Sequence, residues 1–107
     1  MGIITIKDNK DFRRIFARGA SRVGPALVVY GLAGEVGTTR FGFTVSKKVG
    51  KAVVRNRLRR VLKEICRLHP ESFRPGMDYV VIARPRARDL TYRELATELL
   101  SLAGDLP

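Results

Sequence analysis

The residues with the clearest chemical potential lie in one basic segment, residues 47–67. It carries nine Lys or Arg side chains against one acid, Glu64, in a chain of net charge +11. Charge of one sign at this density is self-repelling and is typical of proteins that bind a polyanion. Arg outnumbers Lys here, and its planar guanidinium binds a phosphate through two parallel hydrogen bonds. Asn56, between Arg55 and Arg57, is a poor helix former, and we expect its amide to meet a nucleotide group.

The apolar residues of the same segment predict that a helix carries these charges. They recur at steps of three or four residues and form one stripe: Val54, Leu58, Val61, Leu62, Ile65 and Leu68. At 100° per residue, a polar face lies opposite that stripe, made by Asn56, Arg59, Arg60, Lys63 and Arg67. Arg55 and Arg57 flank the stripe, and Pro70 ends the helix. A rigid basic face favours nucleic acid as the partner.

Two further helices are predicted on either side of the basic segment. Residues 8–18 have helical apolar spacing, with Asp8 or Asn9 as the N-cap and Gly19 ending the helix in a left-handed conformation. Residues 90–104 form an amphipathic helix capped by Thr91.

Three strands are predicted between these helices. Residues 26–32 are β-branched and apolar, residues 40–46 alternate between apolar and polar, and residues 77–85 form a third apolar run. The short turn between the first two strands predicts a hairpin. The resulting order is α-β-β-α-β-α, a single α+β sandwich domain over residues 1–107 with a small, mostly antiparallel sheet.

Composition narrows the class of protein further. The hydrophobic fraction of 45% is enough for a core, and the pI near 10.9 makes an anionic membrane surface the second candidate after nucleic acid. No apolar run reaches the roughly 20 residues of a membrane span. The first ten residues lack the pattern of a signal peptide, and Cys66 is the lone cysteine. We therefore expect an intracellular, cytoplasmic protein.

No protein catalytic site is expected from the residues. His69 is the sole histidine, and the ten acids are scattered, with no close pair beside a histidine for metal-assisted phosphodiester hydrolysis. Cys66 sits near the apolar stripe and is interpreted as a core or boundary residue. Arg84, Arg86 and Arg88 alternate at a strand end, where they either protect an exposed sheet edge or make a second RNA contact.

Three blocks of the chain carry a family resemblance. The run VSKKVGKAVVRNRLRRVLKE (45–64) closely resembles the Arg-Asn-Arg signature of the protein subunit of bacterial ribonuclease P. KDFRRIFARGA (10–20) resembles the first helix of that family, and ARPRARDLTYRELATEL (83–99) its last strand and helix. The resemblance implies a left-handed β-α-β crossover, an exception to the usual right-handed rule. It also implies that the RNA subunit performs the chemistry with bound Mg²⁺, with no cofactor on the protein alone.

The resemblance also implies two sets of site residues. The catalytic RNA would lie against Lys47, Lys48, Lys51, Arg55, Asn56, Arg57, Arg59, Arg60 and Lys63. The single-stranded 5′ leader of precursor tRNA would stack on Phe12, Phe16 and Tyr30, as unpaired bases do on aromatic rings. From the residues alone, plain core packing is the favoured interpretation of Phe12 and Phe16, whereas the hydroxyl of Tyr30 resists full burial.

Other functions fit the same basic helix. The principal alternative is a basic RNA-binding protein of ribosomal type, or a DNA-associated one. A peripheral membrane protein would need the apolar stripe turned outward, and a free-standing nuclease would need its own catalytic groups. No membrane or small-molecule partner is expected.

Overall fold

The computed structural model describes residues 2–107, which contain three α-helices and five strands. The helices are α1 (Asn9–Arg18), α2 (Ala52–Leu68) and α3 (Tyr92–Gly104). The strands are β1 (Ile4–Thr5), β2 (Ala20–Val23), β3 (Leu27–Ala33), β4 (Arg40–Val45) and β5 (Met77–Ala83). Short 3₁₀ turns follow β4, α2 and β5, at Lys47–Val49, Pro70–Ser72 and Pro85–Asp89. The α+β class is confirmed.

The sheet is mixed, with strand order β1-β4-β5-β3-β2. Within residues 2–107, β5 pairs parallel to β4 and antiparallel to β3, β1 is parallel to β4, and β2 is antiparallel to β3. The predicted β3–β4 hairpin is therefore wrong, and the sheet is not mostly antiparallel. The central strand is β5, which lies between β3 and β4 and is buried on both faces. The parallel pairing of β4 and β5 requires a long crossover connection, and α2 forms it. The left hand of that crossover stays a prediction of the resemblance.

Two of the five strands, β1 and β2, were not predicted from the sequence. β1 is an edge strand of 2 residues, and β2 is an edge strand of 4 residues that turns back into β3. The backbone N–H of Gly24 donates to the carbonyl of Leu27 at that turn, over 2.8 Å. Both strands are too short and too exposed to show an alternating pattern.

The main core lies between the sheet and the pair α2 and α3. Leu58, Leu62 and Ile65 of α2 are fully buried there, together with Leu95 and Leu99 of α3. The stripe predicted for α2 is thus confirmed over its centre. Leu68, which ends the helix, is instead 49% exposed. Among residues 2–107, no helix has both the length and the apolar composition needed to cross a membrane.

The helix α1 covers the opposite face of the sheet. Ile15 packs with Ile6 and Val80 in a second, smaller core. Asp8 caps α1, as predicted, by accepting from the backbone N–H of Lys10. The predicted left-handed ending at Gly19 is wrong, because φ is −77° and ψ is 156° there as the chain passes into β2. Glycine is required for space instead, since a Cβ would lie 2.6 Å from the carbonyl oxygen of Ile15.

Candidate nucleic-acid interface

The basic surface is built by α2 and the 3₁₀ turn before it. The side chains predicted to contact RNA divide by exposure. The exposed ones are Lys47, Lys48, Lys51, Asn56, Arg59, Arg60 and Lys63, and the half-buried ones are Arg55 and Arg57. The helix begins after Lys51 with no side-chain cap. Its free backbone N–H groups and its dipole therefore add positive potential at the end where the lysines lie.

Several arginines of this surface are held in place by backbone carbonyls. Arg55 donates to the carbonyl of Gly50 over 2.8 Å, and Arg57 to that of Leu90 over 3.4 Å. Arg59 donates to the side-chain oxygen of Asn56 over 3.0 Å and to a backbone carbonyl over 3.3 Å. With its oxygen engaged by Arg59, the Asn56 amide keeps its N–H groups free to donate. Pre-positioned arginines lose less rotamer entropy when they bind a phosphate.

The three aromatic residues named above meet on the other face of the sheet. The ring of Phe16 lies 6.2 Å from that of Phe12 and 5.1 Å from that of Tyr30, centre to centre. Phe16 is 39% exposed, and the other two are half-buried. Phe12 lies directly on β4, because a Cβ at Gly42 would be 2.7 Å from its ring. The three rings thus form an open cluster, and plain core packing does not describe Phe16.

An open strip of sheet continues from this aromatic cluster. Thr44, Ile82 and Val28 are cross-strand neighbours in β4, β5 and β3, and all three are half-buried. They lie on the face that α1 covers only in part. The sequence patterns did not reveal this strip, because its residues adjoin only through pairings of strands distant in the chain.

A groove of about 360 Å³ joins the two surfaces. It is lined by Phe12 and Phe16 of α1, by Thr44 and Val45 of β4 and by Arg59 of α2. The half of β4 at this groove lies beyond its short pairing with β1. A single-stranded nucleic acid here would meet both stacking rings and a cation.

A buried ion cluster fixes α1 above the sheet. Asp78 of β5 is 1% exposed and accepts from Arg14 of α1 over 2.8 Å and from Arg40 of β4 over 2.7 and 2.9 Å. Arg40 also contacts Asp11 of α1 over 3.4 Å. Burial alone raises the pKa of Asp78, but the hydrogen bonds and charges of Arg40 and Arg14 outweigh it and hold that pKa below its ordinary value. The hydrogen bonds to Asp78 likewise raise the pKa of Arg40.

Comparison with known proteins identifies the family of this chain. The family model described as Ribonuclease P matches residues 4–106. The chain belongs to the ribonuclease P protein family. Two curated ribonuclease P protein components are similar to it. That of Desulforamulus reducens is 41% identical over 96% of this chain and 91% of that protein, and that of Exiguobacterium sibiricum is 45% identical over 88% and 82%.

Solved structures of ribonuclease P proteins share the fold. The protein from Thermotoga maritima superimposes with a TM-score of 0.88 at 29% identity, covering 96% of this chain and 97% of that one. The protein from Staphylococcus aureus gives a TM-score of 0.84 at 36% identity, covering 92% and 90%. The chain therefore functions as a ribonuclease P protein subunit, which is part of a tRNA-processing enzyme and a partner of ribonuclease P RNA. A ribosomal-type role is not favoured.

The three arginines after β5 of this ribonuclease P protein do not protect a sheet edge, because β5 is central. Arg84 donates to the carbonyl of Gly24 over 3.0 Å, and Arg88 to that of Val49 over 3.4 Å. Arg88 therefore lies beside the 3₁₀ turn that carries Lys47 and Lys48. Arg86 is exposed. The RNA-contact interpretation stays a prediction.

Three side chains that could act in catalysis are buried or paired with arginines: Cys66, Asp11 and Asp78. Burial raises the pKa of the Cys66 thiol to about 12, so it is inert as a nucleophile. Within residues 2–107, no three His, Cys, Asp or Glu side chains cluster as metal ligands. Asp11 and Asp78 come together, but their oxygens face Arg14 and Arg40. These residues do not fit a Mg²⁺ site on the ribonuclease P protein itself.

Proposed function

We propose that this ribonuclease P subunit binds the catalytic RNA and the 5′ leader of precursor tRNA on two adjoining surfaces. The RNA surface is the exposed basic side of α2 and the turn before it, and the leader surface is the cluster of Phe12, Phe16 and Tyr30. The observation that carries the proposal is the open aromatic cluster, which shares a groove with Arg59 of the basic helix. Rings left half-open beside a cation suit unpaired bases joined by phosphates.

The physical role of each surface follows from its chemistry. The cations of α2 replace the counterions around folded RNA, so RNA binding weakens as salt rises. The rings stack on leader bases whatever their identity, which suits leaders of varied sequence. Since mature tRNA lacks the leader, such contacts favour precursor over product.

Bond cleavage is assigned to the RNA subunit. Among residues 2–107, no group of His, Cys, Asp or Glu side chains could hold a metal ion, and Mg²⁺ is proposed to bind the RNA. The protein then contributes charge neutralisation and leader positioning, without a small-molecule substrate. Its proposed location is the cytoplasm, as expected for an enzyme that matures bacterial tRNA.

The test is reconstitution with ribonuclease P RNA and a leader-bearing precursor tRNA at low Mg²⁺. Arg60→Ala should weaken RNA-subunit binding and reduce the salt slope by about one unit, with little change in leader dependence. Phe16→Ala should weaken precursor binding by about 1–3 kcal/mol per lost stacked base and leave assembly unchanged. Arg59→Ala should affect both measurements. Arg93→Ala and Val36→Ala are matched controls for lost charge and lost apolar surface.

The two variant classes decide the proposal. If Arg60→Ala and Phe16→Ala lowered the same quantity to the same extent, separate surfaces would be contradicted. If the wild-type protein failed to restore 5′ maturation at low Mg²⁺, the assisting role itself would be wrong.

A further inference from the structure

A second groove lies on the α2–α3 side of the molecule, away from the aromatic cluster. Its volume is about 470 Å³, within the range of roughly 300–1,000 Å³ found for small-molecule sites. It is lined by Arg60, Lys63 and Arg67 of α2, by Tyr92 of α3 and by Ile3, which precedes β1. Tyr92 is 39% exposed. An exposed aromatic ring thus shares a groove with several cations.

One of the three cations of this groove is paired with an acid, and the other two are not. Glu64 is bound to Arg67 by two hydrogen bonds of 2.6 and 2.9 Å, and this pairing lowers the pKa of Glu64. Across residues 2–107, no ion pair involves Arg60 or Lys63. The groove therefore offers two free cations beside an aromatic ring, which suits a phosphate joined to a base.

The backbone that carries Tyr92 is held firmly. It is the first residue of α3, directly after the N-cap Thr91. Thr91 and Glu94 form a capping box, with bonds of 2.9 and 3.2 Å between their backbone N–H groups and side chains. A ring that projects from a fixed backbone loses less conformational entropy when a base stacks on it.

We propose that Tyr92 is a stacking platform for an unpaired nucleotide of the ribonuclease P RNA, whose phosphate binds Arg60 or Lys63. The inference rests on the proposed docking of α2 on that RNA. The groove is continuous with the basic side of α2, and the leader cluster lies on the opposite face of the sheet. The occupant is therefore the RNA subunit and not the precursor leader.

The test is binding of the full-length protein to ribonuclease P RNA over a salt series. Tyr92→Ala should lower affinity about 5- to 150-fold, the equivalent of one lost base stack, with the salt slope unchanged. Tyr92→Phe should bind as the wild type does, because the ring alone is needed. Tyr92→Leu keeps the apolar cover without a ring and should bind as weakly as Tyr92→Ala. The Thr97→Ala variant, on the same helix, is the control.

The outcomes separate this inference from the docking of α2. If Tyr92→Leu bound RNA as tightly as the wild type while Arg60→Ala bound weakly, stacking at Tyr92 would be overturned and docking would stand. If Arg60→Ala also left affinity and salt slope unchanged, docking itself would fail. A Tyr92→Leu defect confined to leader-bearing precursor would overturn the assignment to the RNA subunit.

Discussion

Replacing Asp78 by Asn tests whether the buried ion cluster holds α1 in place. The carboxylate of Asp78 joins three elements, because Arg14 belongs to α1, Arg40 to β4 and Asp78 itself to β5. Asn keeps the size of the side chain but removes its charge and one acceptor. Arg14 and Arg40 would keep Asp11 of α1 as an acidic partner, at 3.8 and 3.4 Å. The charged link from Arg14 of α1 to β5 would be lost, and we expect α1 to loosen from the sheet.

The magnitude follows from burial. Removing one partner of a fully buried ion pair costs about 3–5 kcal/mol. Asp78 is 1% exposed, but the side chains of Arg14 and Arg40 are 33% and 27% exposed and can be partly hydrated after the change. Solvent screening reduces the loss, so we expect about 2–3 kcal/mol of unfolding free energy at neutral pH.

The pH dependence supplies a second signature. The pKa of Asp78 is lowered in the folded protein, so its contribution is present above the unfolded carboxylate pKa, about 3.9, and is lost as pH falls through the folded value. The wild type should therefore lose stability in acid more steeply than Asp78→Asn. The free-energy difference between the two should shrink as the pH is lowered below about 4.

Urea unfolding followed by circular dichroism measures both effects. Asp89→Asn is the control, because its side chain is 75% exposed and it should change stability by under about 0.5 kcal/mol. Precursor binding should weaken in Asp78→Asn, since α1 carries Phe12 and Phe16. A loss of unfolding free energy below about 1 kcal/mol, or one that persists unchanged in acid, would refute the proposed role of the buried ion cluster.

Two further substitutions test local geometry. In Gly42→Ala, the new Cβ would lie 2.7 Å from the Phe12 ring. The ring should be displaced and leader affinity should fall, while RNA-subunit affinity is kept. Gly104→Ala, with open space at its Cβ, is the control. An unchanged leader affinity in Gly42→Ala would contradict the placement of Phe12. Thr91→Ala removes the cap of α3 and should cost about 1 kcal/mol in urea unfolding, against little change for the exposed Thr97→Ala; equal effects of the two would argue against the capping box.

The helices were predictable because their signals are local. The stripe on α2 repeats within one turn, and the caps at Asp8 and Thr91 are read from residues no more than three positions away. The strand pairing could not be predicted from local signals, because the paired strands β4 and β5 are separated in the chain by the whole of α2. Nothing in residues 26–46 distinguishes a hairpin from two strands that each pair with a third.

The candidate site could likewise be predicted only where its signals are local in the sequence. The cations of α2 follow from composition and period, and the openness of the aromatic cluster required the structure. Asp78 was missed, although a signal existed, since a carboxylate within the apolar run of β5 must find a cationic partner. Its partners could not be named, because Arg40 becomes its neighbour only through the parallel register of β4 and β5.

The strand order explains why the two proposed binding surfaces adjoin. Within residues 2–107, β4 is flanked on its outer side only by the short β1, whose pairing ends at Phe41. The remaining half of β4 is therefore open at the sheet edge, beside the beginning of α1 on one face and Arg59 of α2 on the other. Arg59 reaches this opening and donates to the carbonyl of Val45. A leader lying on the aromatic cluster would thus run toward the proposed RNA-binding helix, and this open edge of β4 would bring substrate and catalytic RNA together without any movement of the protein.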